Sequence, residues 1–239
     1  MAVKKAKVIR KMASEKLEAR VKEMIRLRDE FLADVSNCHV KLQEGNSKTG
    51  KRVMTVSLIP IVDCKNCSHC GPECYDVRND CCYPSVRKSR AINSAIHKAD
   101  IERFWNEIEM QLKAFYVECL RINVGGDLTA KDFELLTEVA ERNPQVTFLF
   151  FTKNYDEAND YLDKRDFPEN VQCIFSAWEG MEMKNPHNMP CSHVLYADGR
   201  TTAPTYGAIL CTGDCTECYM EDRGCFTLKK GEHVVFPAH

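Results

Sequence analysis

The stretch that most constrains this chain runs from "CLRINVGGD" through "LTAKDFELLTEVAERN", "QVTFLFFTK" and "VQCIFSAW", residues 119–178. It alternates short β-branched and aromatic runs with amphipathic helical ones. Thr129 with Asp132 and Asn154 with Glu157 stand where capping residues open the two helices. Strand, helix, strand, helix, strand at this spacing demands right-handed crossovers and a parallel sheet. The uninterrupted apolar run "VTFLFF" fits a strand covered on both faces. An earlier apolar run, "VMTVSLIPI", adds a strand before this unit, and short strands are expected at "VLYA" and "YGAIL" after it.

Ligands of such sheets bind beyond the carboxyl ends of the strands. Three polar strand ends therefore share one rim: Asp127, then Thr152 and Lys153, then Ser176 with Trp178. Asp127 and Lys153 are the candidate catalytic or ligand-binding pair. Each also has a plainer use, as a turn acceptor or a solvated strand end.

Two cysteine groups frame this unit. The first, Cys64, Cys67, Cys70 and Cys74 in "CKNCSHCGPEC", has the C-x2-C-x2-C-x3-C intervals of a bacterial ferredoxin run, with Tyr75 in place of the following proline. In ferredoxins the fourth cysteine serves another cluster, so the partner of Cys74 stays open. Structural zinc fingers space their ligands differently, as pairs separated by a loop. The second group is Cys211, Cys215, Cys218 and Cys225 in "CTGDCTECYMEDRGC". Its spacing of three then two imitates radical S-adenosylmethionine enzymes, but Glu217 stands where an aromatic is usual and the motif lies near the end of the chain. The spacings favour iron–sulfur in both groups, with zinc the alternative in each and less specific spacing in the second.

Of the remaining cysteines, Cys119 and Cys173 fall in strands and read as small buried hydrophobes. Cys81 and Cys82 follow the first group closely enough to replace a ligand, and Cys191 lies in a Pro-rich loop within reach of either group. Cys38 beside His39 gives no oriented base. His69, inside the first group, and His233 and His239, near the second, are weaker ligand candidates.

A chain of 239 residues buries a full core without covalent staples, so fourteen cysteines do not imply a disulfide framework. No signal region opens the sequence and no apolar run is long enough to cross a bilayer, which leads to the expectation of a cytoplasmic protein without a membrane partner. The net charge of −2 hides a basic N-terminus, where residues 1–31 carry ten Lys or Arg against five Asp or Glu. Residues 3–33 have a helical apolar stripe that packs on the body, touches nucleic acid or pairs with another helix. Residues 85–115 are expected to be helical, with a break near Asp100. Gly45, Gly50 and Lys51 imitate a phosphate loop, but Arg52 replaces its Ser or Thr and a strand follows where a helix should.

The segments "GNSKTGKR", "SLIP", "CGPECY", "RINVGGDL", "FFTKN" and "CTGDCTECYMEDRGCF" together resemble the gene product 88 domain of bacteriophages and mobile elements, over about residues 42–239. That resemblance implies a shortened radical-enzyme-like barrel and carries over Cys64, Cys70, Cys74, Asp127, Lys153, Cys211, Cys215 and Cys218. The expected fold is α/β, an incomplete (β/α) barrel-like parallel sheet with cysteine-rich metal-binding segments. Residues 1–41 form a basic helical extension and 42–239 the cysteine-rich domain. The expected function is an iron–sulfur protein, redox or radical in type, carrying one or two 4Fe–4S clusters and meeting a redox partner or small-molecule substrate. The alternative is a metal-stabilised module, with zinc in place of iron, that binds nucleic acid through "VKKAKVIRK" and "RKSR".

Overall fold

A computed structural model describes residues 15–44, 50 and 52–238. Gly45, Lys51, His239 and the basic segment 3–11 lie outside them, and the side chain of Cys81 is likewise not described.

Seven strands form one all-parallel open sheet: β1 (Val53–Val56), β2 (Cys119–Ile122), β3 (Thr147–Thr152), β4 (Val171–Ser176), β5 (Cys191–Leu195), β6 (Ala208–Leu210) and β7 (His233–Pro237). The spatial order is β1-β2-β3-β4-β5-β7-β6. Because neighbours in sequence are neighbours in space through β5, the right-handed crossovers place their helices on one face. These are α3 (Pro84–Ala99), α4 (Ile101–Ala114), α5 (Ala130–Arg142) and α6 (Tyr155–Leu162). They cover alternate strand residues Leu120, Ile122, Phe148, Phe150, Cys173 and Phe175, all buried.

Local chemistry sets the helix ends. Asp100 is extended and its carboxylate accepts from Arg103 N, so one residue ends α3 and caps α4. Thr129 and Asp132 form a reciprocal capping box on α5. Asn154 precedes α6 without the side-chain cap expected of it; its amide turns inward and donates to Leu128 O and Glu157 Oε2.

The opposite face holds Leu149, Phe151, Ile174, Val234 and Phe236, with Leu228 and Phe226 from the β6–β7 connection. Phe151 on β3 and Phe236 on β7 have ring centroids 5.7 Å apart. Their strands are three positions apart, about 14 Å in a flat sheet, so the sheet curls toward this face. Curling brings α7 (Cys215–Met220), which follows β6, against β1 at the far edge. Gly50, at φ +64°, meets Thr216 there; a Cβ on it would stand 1.9 Å from Thr216 Oγ1. The β6–β7 connection thus lies where a closed barrel would have further strands, and no pairing joins β1 to β6.

The N-terminal helix α1 (Glu15–Ala33) packs on α3 and on α2 (Tyr75–Cys82). Its stripe of Leu17, Val21 and Met24 is buried against Ile59, Ile61, Val62, Cys67 and Val77. The described extension is therefore docked on the body. Four of its five cations are matched locally: Arg20 with Glu23, Lys22 with Glu18, Arg26 with Glu30 and Arg28 with Asp29. Among the described residues no helix is long and apolar enough to cross a membrane.

Candidate functional site

The loop after β1 carries the first cysteine group across the carboxyl ends of the strands. Three contacts fix its path. Asn66 Nδ2 donates to Lys153 O at 2.6 Å, Lys65 pairs with Glu157 on α6, and His69 lies 3.6 Å from where a Gly180 Cβ would stand, beyond the end of β4. His69 itself is exposed, its Nδ1 sharing a hydrogen bond with Ser68.

Within this loop Cys67 is buried and Cys64, Cys70 and Cys74 are half-buried. Burial pushes the Cys64 thiol well above its ordinary value, and Cys70, Asp127, Cys74 and Cys67 raise it further. Burial and then Asp76 push Cys74 up to about 12. All four cysteines pack on one apolar cluster, with Asp127 close enough to act on Cys64.

Asp127 is buried and heavily used. Its Oδ1 accepts from Leu128 N and Thr152 Oγ1, both at 2.8 Å, and its Oδ2 accepts from Lys153 N at 2.9 Å. Burial raises its pKa against the pull of these donors. The carboxylate ties the end of β2 to the end of β3 and so orients Lys153. Lys153 Nζ donates to Ser176 Oγ at 3.0 Å and sits 5.5 Å from the centroid of the Trp178 ring. The structure therefore brings together Asp127, Thr152, Lys153, Ser176 and Trp178, the five rim residues singled out from the sequence.

The two glycines before Asp127 permit this packing. Gly125 lies against the buried Asp76–Arg90 ion pair, whose Oδ1 to Nη2 distance is 2.8 Å. Gly126, at φ +89°, lies against Leu58. Arg90 is thus part of the interior and Arg87 lies 3.9 Å from Glu23 of α1, which leaves Lys88 as the exposed cation of "RKSR".

The second cysteine group sits on the concave face. Arg121 of β2 points to it, its Nη1 3.7 Å from Cys215 Sγ and its guanidinium 5.3 Å from the centroid of Phe151. Burial lowers the Arg121 pKa, but Tyr75 and Cys215, Cys225 and Cys211 outweigh it and the net shift is upward. Burial pushes Cys225 up to about 12 although Arg121 opposes it. Periodicity offered no reason to single out Arg121; only the curl of the sheet brings it to these thiols. Arg121 thus meets Cys215 of the second group and lies within electrostatic range of Tyr75, the residue that follows the first.

The other candidates lie elsewhere. Cys173 and Cys191 are buried in the helix-covered core, where Cys191 Sγ contacts Asn185 and Met189 O. Cys119 is buried on the concave side. Cys82 is exposed, and Cys38 packs near the α1–α4 side with its thiol toward Phe31 O. His233 hydrogen-bonds His193 at 3.0 Å and is held by that pair.

The described cysteines are all free thiols. Among the described residues, no three His, Cys, Asp or Glu side chains already stand in a metal-holding arrangement. The donor set at the strand ends is nevertheless of the soft thiolate kind that suits iron–sulfur clusters and zinc. No curated protein and no solved structure matches the chain. The model of the family described as gene product 88 matches residues 40–189, more than half of the chain and the whole of β1 to β4 with their rim. By that match the chain belongs to the gene product 88 family.

Proposed function

We propose that this is an iron–sulfur protein of redox or radical type, with a 4Fe–4S cluster held by Cys64, Cys67, Cys70 and Cys74 at the carboxyl rim of the sheet. The observation that supports this most is that four free thiols pack on one cluster in a loop tied by Asn66 to Lys153 O at the strand ends, where parallel sheets bind ligands. Raised thiol pKa values belong to the metal-free state; binding would draw the sulfurs together and release their protons. When bound, the cluster would supply electron transfer or an open iron site. Lys153 holds an anionic or carbonyl group of the substrate, and Asp127 positions Lys153 through its backbone. Cys211, Cys215, Cys218 and Cys225 form a second thiolate position, for another cluster or for zinc.

The test is iron, acid-labile sulfide and zinc per chain on protein purified without oxygen, alongside Cys70→Ser and Cys218→Ser. The reading expects about four or eight irons with equal sulfide, falling by about four in Cys70→Ser. Zinc alone, with no sulfide in a colourless sample, would sink it and leave the metal-stabilised binding module.

A further inference from the structure

Beside the rim, between the ends of β4 and β5, lies a cleft of about 150 Å³. Ala177 and Val194 are among its apolar lining residues, and Trp178 and Tyr196 give it two aromatic ones. A tight turn builds one side: Tyr196 N donates to Arg200 O, Gly199 N to Tyr196 O, and Leu195 bridges Thr201. Gly199 takes φ +85° in that turn. Thr202 Oγ1 shares a 2.9 Å hydrogen bond with Nδ1 of the buried His193, which anchors the turn to β5. The cleft is thus braced from within the sheet.

We infer that this cleft binds a single-ring, uncharged heteroaromatic group of the pyrimidine-base class. Size comes first: the volume is about that of a cavity that accepts one benzene ring, too small for a fused two-ring system to enter fully. Shape and surface follow, since two aromatic side chains in the lining favour a flat π system over an aliphatic chain of equal volume. Charge then disfavours an anion on the Arg200 side of the cleft. Arg200, the cation lining the cleft, already pairs with Glu179 at 2.6 Å and Asp198 at 2.8 Å, and its guanidinium lies 4.7 Å from the Tyr196 ring centroid. A phosphate or carboxylate would meet two carboxylates for one arginine. Glu179 and Thr202 instead offer an acceptor and a hydroxyl to ring N–H and C=O groups. The inference does not depend on whether the cysteines carry metal.

Tryptophan emission tests it on the full-length protein. The chain has two tryptophans; Trp105 is buried and bonded to Asp132, so Trp178 is the one that responds to a ligand in the cleft. Uridine, cytidine and thymidine are titrated against adenosine and ribose, with calorimetry on the same samples. A saturable change with at least one pyrimidine nucleoside is expected, at least fivefold weaker binding of adenosine, and none of ribose. Trp178→Ala and, as an independent variant, Tyr196→Leu should each weaken that binding about tenfold, with the near-ultraviolet signal of Trp105 showing that they fold. No saturable response to any pyrimidine nucleoside, adenosine binding equally well, or a folded variant that binds like the parent overturns the inference.

Discussion

Gly125 has a hydrogen where any other residue would put a carbon 2.2 Å from Asp76 Oδ2 and 3.0 Å from Leu58 O. The second of these is backbone and cannot swing aside, so Gly125→Ala should destabilise the protein by about 2–4 kcal/mol, measured by denaturant unfolding. Asp127 and Lys153 should separate in the same assay. Asp127→Asn turns an amide donor toward groups that are themselves donors, Thr152 Oγ1 or Lys153 N, and should cost about 2–3 kcal/mol. Lys153→Ala, which removes one hydrogen bond to Ser176 and the contact over Trp178, should cost under about 1 kcal/mol. If Asp127→Asn is as stable as the parent, the carboxylate is not the brace described above. The sequence named both residues as rim groups, but it did not separate the brace from the group it orients. That distinction needs the hydrogen bonds between β2 and β3.

At the scale of elements, the helix layer is joined by a buried carboxylate. Glu109 of α4 accepts from Arg142 of α5 at 2.8 and 3.1 Å, from Lys113 at 2.8 Å and from Asn143 at 3.2 Å. The Arg142 bonds above all bring its pKa from 4.5 to about 2, against the opposing effect of burial. A depressed folded pKa means stability that is fully present above the unfolded value near 4.5 and is lost as pH falls toward 2. With Arg142 half-exposed, the Coulombic part is screened, leaving about 1–2 kcal/mol. Glu109→Gln should therefore lower stability at pH 7 by about that amount and flatten the loss between pH 4.5 and 2, which parallel urea titrations would detect. A parent and variant with the same acid profile would count against this pair. The helices themselves were legible: the break at Asp100 and the Thr129–Asp132 box follow from residues adjacent in sequence. The inward turn of Asn154 was not, because its partner Leu128 O belongs to another connection.

For the molecule as a whole, α1 packs on the body as its apolar stripe implies, and what it covers is the first cysteine loop. Val21 is 1% exposed and packs in the cluster that holds Cys67, Ile59 and Ile61. Placing a charge there should loosen α1 from the cysteine loop without touching the sheet. Val21→Asp is expected to raise the rate of thiol labelling at Cys67 by at least about tenfold, with β-sheet signal retained; unchanged labelling would mean that α1 does not shield the loop. The same scale accounts for β7, which sequence patterning did not separate from the chain end. Its place between β5 and β6 reverses the order of the last two strands and lets the β6–β7 connection fold back across the concave face.

By itself the sequence determined the alternation of strands and helices, the parallel sheet and the rim residues Asp127, Thr152, Lys153, Ser176 and Trp178. Those follow from periods of 2 and 3.6 and from the rule that parallel strands point one way, which are local or topological facts. Only the tertiary structure decided how far the sheet curls, that α1 lies over the first cysteine loop and that Arg121 meets the second group. Those outcomes depend on curl and on contacts between residues far apart in the chain, and such contacts are fixed by packing a whole interior at once.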